Sequence, residues 1–415
     1  MSWPSATLSD VCIKIQDGAH RSPKTLYPDP GKGRYPYLTS KNVRMGFLKL
    51  DNVQYCGEDF HSEIYARCNP ELGDVLLTKD GASTGNVAVN ELDEPFSLLS
   101  SVCLLKPDPE KLCAKFLMYY LQSRDGFQQV TGKMTGAAIK RIILKNIKSS
   151  VIPVPSICDQ KKISSLLDET FDGIDTVGAN TEKNLANVRE LFDGYLSSVF
   201  AQRGDGWVDQ PLKDVCVDYG RGKSKHRPRN DPKLYGGDYP FIQTGDVRKS
   251  SQVIKDYSAT YNDVGLAQSK LWPEGTICIT IAANIAETGM LGFDACFPDS
   301  IIGMVVDEKK ASKEYVEYLL QSVKTVLKAK GKGSAQDNIN LGTFEKEKFP
   351  FPPIDKQQEI AASLDELSST VSSLEVIYQQ KLTALAELKQ SLLQKAFSGE
   401  LTASEAEAAV EEATA

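Results

Sequence analysis

The chain repeats itself. Trp3 matches Trp207, Leu8-Ser-Asp-Val-Cys12 matches Leu212-Lys-Asp-Val-Cys216, and Tyr35-Pro-Tyr-Leu-Thr-Ser-Lys-Asn-Val-Arg44 matches Tyr239-Pro-Phe-Ile-Gln-Thr-Gly-Asp-Val-Arg248, all at an offset of 204 residues. Later landmarks drift, as insertions in surface loops make them do. They lock again at an offset of 197, where Pro153-Val-Pro155 meets Pro350-Phe-Pro352, Gln160-Lys-Lys-Ile163 meets Gln357-Gln-Glu-Ile360, and Phe200 meets Phe397. A duplicated chain of this kind must fold as two copies of one unit. The expected divisions are globular copies over 1–155 and 207–353, helical segments over 156–206 and 354–400, and an Ala/Glu-rich tail over 401–415 that is disordered or a frayed helix.

Each globular copy reads as short β-rich runs broken by Gly, Pro and Asn, such as Asp74–Thr78, Leu98–Leu105, Thr276–Ile281 and Ile301–Val306. One helical stretch falls in each, Lys111–Gln122 and Lys313–Lys328, with Phe116, Leu117, Tyr120 and Leu121, or Val316, Leu319, Leu320 and Val323, on one face. This predicts an α+β fold with two tandem globular domains and mixed, mostly antiparallel sheet.

After each domain a Pro-x-Pro turn stops the chain and a long helix begins, with Asp159 and Asp355 as expected N-caps. Asp159–Ala201 and Lys356–Ser398 hold 43 residues each, enough for about 65 Å of helix. The first carries Ile163, Leu167, Phe171, Ile174, Val177, Leu185, Val188, Phe192, Tyr195 and Val199, nearly all in three- and four-residue steps. The second carries Ile360, Leu364, Leu367, Val371, Leu374, Tyr378, Leu382, Leu385, Leu388 and Leu392 in three- and four-residue steps. Such spacing is a coiled-coil seam. Equal length predicts that the helices pair with each other; because each follows its own domain, pairing as an antiparallel coiled coil would place a domain at each end. Gly173, Gly178 and Gly194 interrupt the first helix, each costing about 1 kcal/mol relative to alanine, and predict a kink near Gly173–Gly178.

Several function classes find no support in the residues. Nine cysteines without a C-x-x-C pair and three histidines (His20, His61, His226) offer neither zinc-ligand spacing nor an even disulfide framework, which points to a cytoplasmic location. No apolar run approaches the ~18 residues of a membrane span, and Met1-Ser2-Trp3-Pro4 does not open a signal peptide. Gly222-Lys223-Ser224 ends like a phosphate-binding loop, but Val217 stands where its first glycine belongs. Asn69-Pro70-Glu71-Leu72 lacks the second proline and aromatic of an amino-methyltransferase turn. Pro298-Asp299 with Glu308-Lys309-Lys310 leaves one enzyme alternative, a cryptic Mg-dependent nuclease built on Asp299 and Glu308. A coiled-coil adaptor without catalysis is the other alternative.

The net charge of −7 conceals a division. Residues 1–155 hold 19 Lys and Arg against 16 Asp and Glu, and residues 207–353 hold 20 against 19. The acid lies in 156–206, with 5 against 9, and in 354–415, with 4 against 11. Local basic patches decide whether a phosphate backbone is attracted, and overall pI does not.

Four polar loop segments recur in each copy. The first copy supplies His20, Arg21, Lys24; Lys41, Asn42, Arg44; Lys79, Ser83, Thr84, Asn86; and Lys133, Thr135, Lys140, Arg141. The second supplies Arg221, Lys223, Lys225, His226, Arg227, Arg229; Thr244, Arg248; Asn284, Thr288; and Lys330, Lys332, Ser334, Gln336, Asn338. Lys and Arg neutralise phosphates, while Arg, Asn, Gln, Ser and Thr can read base edges. These are the candidate DNA-binding residues; no catalytic or metal-binding residues are expected.

The junctions Ile152-Pro-Val-Pro-Ser-Ile-Cys-Asp-Gln-Lys-Lys-Ile163 and Phe351-Pro-Pro-Ile-Asp-Lys-Gln-Gln-Glu-Ile360, followed by Leu167-Asp168 and Leu364-Asp365, carry a resemblance. Together with Gly333-Ser-Ala-Gln336, and less closely Gly136-Ala-Ala-Ile139, they make the chain resemble the specificity (S) subunits of type I restriction–modification enzymes. The resemblance implies two target-recognition domains that each read one half of a split, asymmetric site in double-stranded DNA. It implies helices that set the spacing and dock two modification subunits, with restriction subunits added. The chain would bind no cofactor; S-adenosylmethionine, ATP and Mg would reside in those partners. Truncation after Val371 is expected to abolish assembly while leaving the N-terminal domain folded.

Overall fold

A computed structural model of the chain describes residues 3–132, 134, 141–282, 284–324, 347–401 and 408–411. The chain divides into two compact units, Met1–Glu182 with Gln379–Ala415, and Lys183–Tyr378. Each unit thus combines one globular copy with a stretch of both long helices.

In the first unit, Ser5–Thr7 pairs antiparallel with Val151–Pro153 and draws the two ends of the globular copy together. An antiparallel sheet orders Cys12–Asp17, Val102–Pro107, Val75–Thr78 and Val87–Val89. A smaller mixed sheet orders Gln54–Gly57, Arg34–Leu38 and Ser97–Leu98. The run Leu98–Leu105, expected as one strand, is two. Leu99 N donates to the Leu38 carbonyl in the small sheet, and Val102 N closes a turn onto the Leu99 carbonyl before the chain joins the larger sheet. Central strands here have no wet face. Val75, Leu77, Cys103 and Leu105 enter the core shared with the long helices, while Leu76, Val102 and Leu104 enter a second core. Burial on both faces is why these strands read as unbroken apolar runs.

The second unit repeats the plan. Val208–Pro211 pairs with Lys348–Phe351. A five-stranded sheet orders Cys216–Arg221, Ile301–Val306, Ile277–Thr280, Thr288–Leu291 and Val253–Ile254, beside a four-stranded one of Ala259–Tyr261, Tyr235–Phe241, Ala295–Cys296 and Leu271–Trp272. Ile277, Ile279, Ile302 and Met304 face the helix-side core, whereas Cys278 and Ile301 face the other. The helix expected over Lys313–Lys328 spans Lys313–Ser322, and residues 325–328 lie outside the described residues. Its counterpart begins at Ala114 instead of Lys111, because Lys111 and Leu112 first turn back onto the Asp108 carbonyl.

One glycine recurs for a steric reason. A Cβ on Gly18 would lie 2.0 Å from the Leu98 carbonyl oxygen, and one on Gly222 would lie 2.2 Å from that of Phe297. Only glycine lets the first long strand of each copy pass its neighbour this closely.

The long helices run Ile157–Ala201 and Ile354–Ser398, 45 residues each. Asp159 is not the N-cap. Ser156 Oγ accepts from Asp159 N at 3.2 Å, so Ser156 caps and Asp159 sits one turn in. Asp355 likewise lies in the first helical turn, where a carboxylate meets the positive end of the helix. The first helix continues through Gly173 and Gly178, where a kink was expected. Residues 408–411 of the tail form a helical turn, and Gly173 leaves room for Val410 there.

A pair of latches joins each globular copy to its helix. Gln160 accepts from Cys113 N at 2.8 Å and donates to the Lys111 and Pro155 carbonyls at 2.9 Å. Gln357 accepts from Ser312 N at 3.0 Å and donates to the Pro352 carbonyl at 2.9 Å and the Lys310 carbonyl at 3.5 Å. Tyr119 donates to Asp168 at 2.6 Å, and Tyr318 donates to Asp365 at 2.8 Å. The junction motif legible in the sequence is therefore a set of hydrogen bonds from helix side chains to the domain.

Both helices meet within each unit. In the first unit Leu167, Phe171, Ile174, Leu385 and Leu392 are buried in one core, with Ile163 and Leu388 packed against it, and Lys389 pairs with Asp175. In the second unit Leu364 is buried with Leu196, Phe200 and Ala361, with Phe192 and Ile360 alongside, and Arg189 pairs with Glu375. Leu185, Val188, Leu367, Val371 and Leu374 are half-buried, while Tyr195 is exposed next to the buried Leu196.

Candidate nucleic-acid interface

In the first unit, segments far apart in sequence converge. Asp17, at the end of its strand, lies 3.6 Å from Lys79, 3.9 Å from Arg67 and 3.3 Å from His20. Lys79 also lies 3.5 Å from Asp80, which lies 3.9 Å from Arg141. Ser83 donates to the Ser40 carbonyl at 3.1 Å and Asn86 to the Val43 carbonyl at 3.2 Å. The structure thus brings the loops of His20, Lys41, Lys79 and Arg141 to one surface.

It does not present every candidate to solvent. Asn42 is buried, accepts from Thr39 N at 2.9 Å and donates to the Lys49 carbonyl at 3.1 Å. Lys79 is buried between Asp17 and Asp80, and Thr84 donates to the Gly81 carbonyl at 2.6 Å. Arg44 is half-buried, donating to the Ser40 and Val43 carbonyls. Arg21 is exposed but pairs with Glu63. His20, Lys24, Lys41 and Arg141 are exposed. Lys133, Thr135 and Lys140 lie outside the described residues.

In the second unit, the loop after Cys216–Arg221 is the most basic stretch. Arg221, Lys223, Lys225 and Arg227 are exposed. His226 Nε2 lies 2.8 Å from Asp231, and with Lys233 it holds that carboxyl below its ordinary range. Arg227 donates to the Ser224 carbonyl at 2.6 Å, and Arg229 binds Asp299 through both carboxylate oxygens at 2.6 and 2.9 Å. Arg248 donates to Asn284 Oδ1 at 3.2 Å, and Asn284 reaches the half-buried Thr244 carbonyl at 3.5 Å. Lys330, Lys332, Ser334, Gln336 and Asn338 lie outside the described residues, as do the Gly333 and Gly136 motifs.

Thr288 faces inward and donates to Glu317 at 2.7 Å. Glu317, at a position where the first copy has Met118, is fully buried, and its second carboxylate oxygen has no partner among the described residues. Burial pushes this carboxyl up to about 7, against the pull of the hydrogen bonds from Thr288 and Gln321 and the nearby Lys324. Because the folded value lies above the ordinary 4.5, stability is greatest while the group is protonated and is lost as pH rises through about 7. Glu317→Gln should therefore stabilise the full chain by about 1–3 kcal/mol near pH 8 and change it little near pH 5. Urea denaturation at both pH values checks this; equal effects at both would refute it.

The nuclease alternative has no geometry. Asp299 and Glu308 lie at opposite ends of Ile301–Val306, which at about 3.3 Å per residue separates them by roughly 20 Å. Asp299 is held by Arg229 and Glu308 by Lys313 at 3.2 Å. Among the described residues no group of three or more His, Cys, Asp or Glu could hold a metal ion, and no helix is long and apolar enough to cross a membrane.

Fold and loops together define a class of protein, a two-copy α+β scaffold that presents unlike basic loops. The family described as the type I restriction modification DNA specificity domain matches residues 2–185 and again 204–383. The chain belongs to that family, with one copy of the domain in each match. It is 23% identical over 97% of its length to the type I restriction enzyme StySPI specificity subunit of Salmonella potsdam, spanning 89% of that protein. It is also 23% identical over 96% of its length to the type I restriction enzyme MjaVIII specificity subunit of Methanocaldococcus jannaschii, spanning 93% of it. A chain solved to study complex assembly and conformational transition of the type I R-M system superimposes with a TM-score of 0.78 at 19% identity, covering 96% of this chain and 98% of that one. The HsdS subunit from Thermoanaerobacter tengcongensis gives 0.56 at 18% identity, covering 96% and 97%. At these identities both structures speak to the fold.

Proposed function

We propose that the chain is the DNA-specificity subunit of a type I restriction–modification complex, with each globular copy reading one half of a split, asymmetric site. The observation that carries this reading is the pairing of like scaffolds with unlike basic loops. Equal junctions, cores and latches hold Arg221, Lys223 and Lys225 in one copy, and His20, Lys41 and Arg141 in the other. Two readers of different chemistry require a target with two different halves.

The long helices would fix the gap between the half-sites. An ion pair bridges the two helices within each unit, Asp175–Lys389 in one and Arg189–Glu375 in the other, which supports a helix-pairing role. The helices would also dock two modification subunits, which in turn engage restriction subunits. A groove of about 600 Å³ lined by Val188, Leu191, Phe192, Tyr195, Leu367 and Leu374 supports such a docking role. S-adenosylmethionine, ATP and Mg would belong to those partners, and this chain would do no chemistry.

Phosphate grip is tested by salt. With the full chain assembled with its modification subunits, R221A/K223A/K225A should weaken DNA binding about tenfold or more near 0.15 M salt and make the log–log salt slope shallower by about 2–3. Unchanged affinity and slope would contradict a DNA-facing role for this loop.

A further inference from the structure

Apolar side chains exposed singly are ordinary on protein surfaces. The turn after Val43 is different, because Met45 is 43% and Phe47 57% exposed on one tight tip. That tip is pinned. Val43 and Leu48 form an antiparallel bridge, Arg44 N donates to the Phe47 carbonyl at 3.0 Å, and Lys49 N donates to the Asn42 carbonyl at 2.7 Å. Gly46, at φ +89°, donates to the Val87 carbonyl at 2.9 Å, and Asn86 holds the Val43 carbonyl from below. Backbone hydrogen bonds thus fix the turn on which Met45 and Phe47 stand exposed.

The surround is basic. Lys41 and Lys49 are exposed beside the tip and Arg44 is half-buried at its base, while Asp51, 3.8 Å from Lys49, is the acid of this rim. In the second copy the matching residues are Lys249, Ser250, Ser251 and Gln252, and the chain there forms a helical turn over Thr244–Lys249. The apolar tip belongs to one copy.

We propose that the Met45–Phe47 turn is a wedge that inserts into a base step of the half-site read by the first domain, with Lys41 and Lys49 holding flanking phosphates. This rests on the DNA-specificity reading above. Unstacking a step costs a few kcal/mol, which the contacts of an inserted apolar side chain offset. A tip already pinned in place avoids the further cost of ordering a loop on binding. The second domain, with Lys249 and Ser251 in place of Met45 and Phe47, leaves its half-site stacked, so DNA distortion is confined to one half.

The test uses the full chain without modification subunits, since base extrusion by a methyltransferase would add its own signal. The duplex carries the sequence that the complete complex methylates, with 2-aminopurine placed at each step in turn. A several-fold fluorescence rise is expected at one step of the first domain's half and none in the other half. Phe47→Ser should cut the rise about fivefold or more, and Phe47→Leu should keep most of it. Binding without any rise, or a rise that Phe47→Ser leaves intact, would overturn the wedge. So would a Phe47→Ser chain that unstacks DNA normally but no longer assembles with the modification subunits. Failure of the unmodified chain to prefer this duplex over a scrambled one would instead remove the DNA-specificity reading, and the wedge with it.

Discussion

Exchange of residues 207–353 for the same segment of another family member is expected to replace one half of the methylated sequence and leave the other half and the gap unchanged. The physical reason lies in the latches. Gln357 holds the second domain through the Ser312 amide and the Lys310 carbonyl, and Gln160 holds the first through the Cys113 amide and the Lys111 carbonyl. Those backbone groups are the same in any incoming domain, whereas the Tyr318–Asp365 hydrogen bond persists only where the incoming domain keeps a tyrosine there. The mismatch falls on side chains. Leu196, Phe200, Ala361 and Leu364 stay with the recipient and must pack against a foreign core, costing about 1–3 kcal/mol where volumes disagree. That lowers stability without redirecting specificity. Mapping of methylated adenines in cells that carry the chimera within a complete system reads the outcome. A change in both halves, or in neither, would contradict separate readers.

Removal of the chain beyond Val371 is expected to unfold the first unit, although that unit's globular copy ends more than two hundred residues earlier. Leu385, Leu392, Leu393 and Ala396 are buried in the core that also contains Leu8, Phe116 and Leu167, and Phe397 packs edge-on against Phe116 and Tyr120. Loss of each large apolar side chain from a core costs about 2–5 kcal/mol, and together they exceed the roughly 5–15 kcal/mol by which a domain is stable. The expectation drawn from sequence, that such a truncation spares the N-terminal domain, is therefore corrected. Limited proteolysis of the truncated chain should leave no resistant fragment covering residues 3–182. A resistant fragment of that size would show that the helix packing is dispensable. The single variant Leu385→Ala should cost about 3 kcal/mol and leave a folded chain.

That correction shows which kinds of structure a sequence discloses. The duplication, the two long helices and the junction motif were legible because each is written in local spacing and then written again at a fixed offset. What the far half of the second helix packs against was not legible. Its apolar stripe at Leu385, Leu388 and Leu392 announces a partner without naming one. The candidate interface divides the same way. Polar loop residues pointed to segments that the fold brings together around Asp17 and Asp80 in the first unit. Composition does not tell which way a side chain faces, so Asn42, Lys79 and Thr288 turned out to serve the fold. Conversely Met45 and Phe47 resemble core residues in the sequence and stand exposed, because a glycine turn and its hydrogen bonds hold them there. Glu317 left no signal beyond a charge on an otherwise apolar helix face.

The central claim is that one duplicated scaffold holds two different readers. Its most direct test is the map of methylated adenines in DNA from cells carrying this chain with its complete set of partner subunits. The prediction is a non-palindromic sequence of two unlike half-sites separated by a constant run of unspecified bases. A continuous or palindromic site would contradict it.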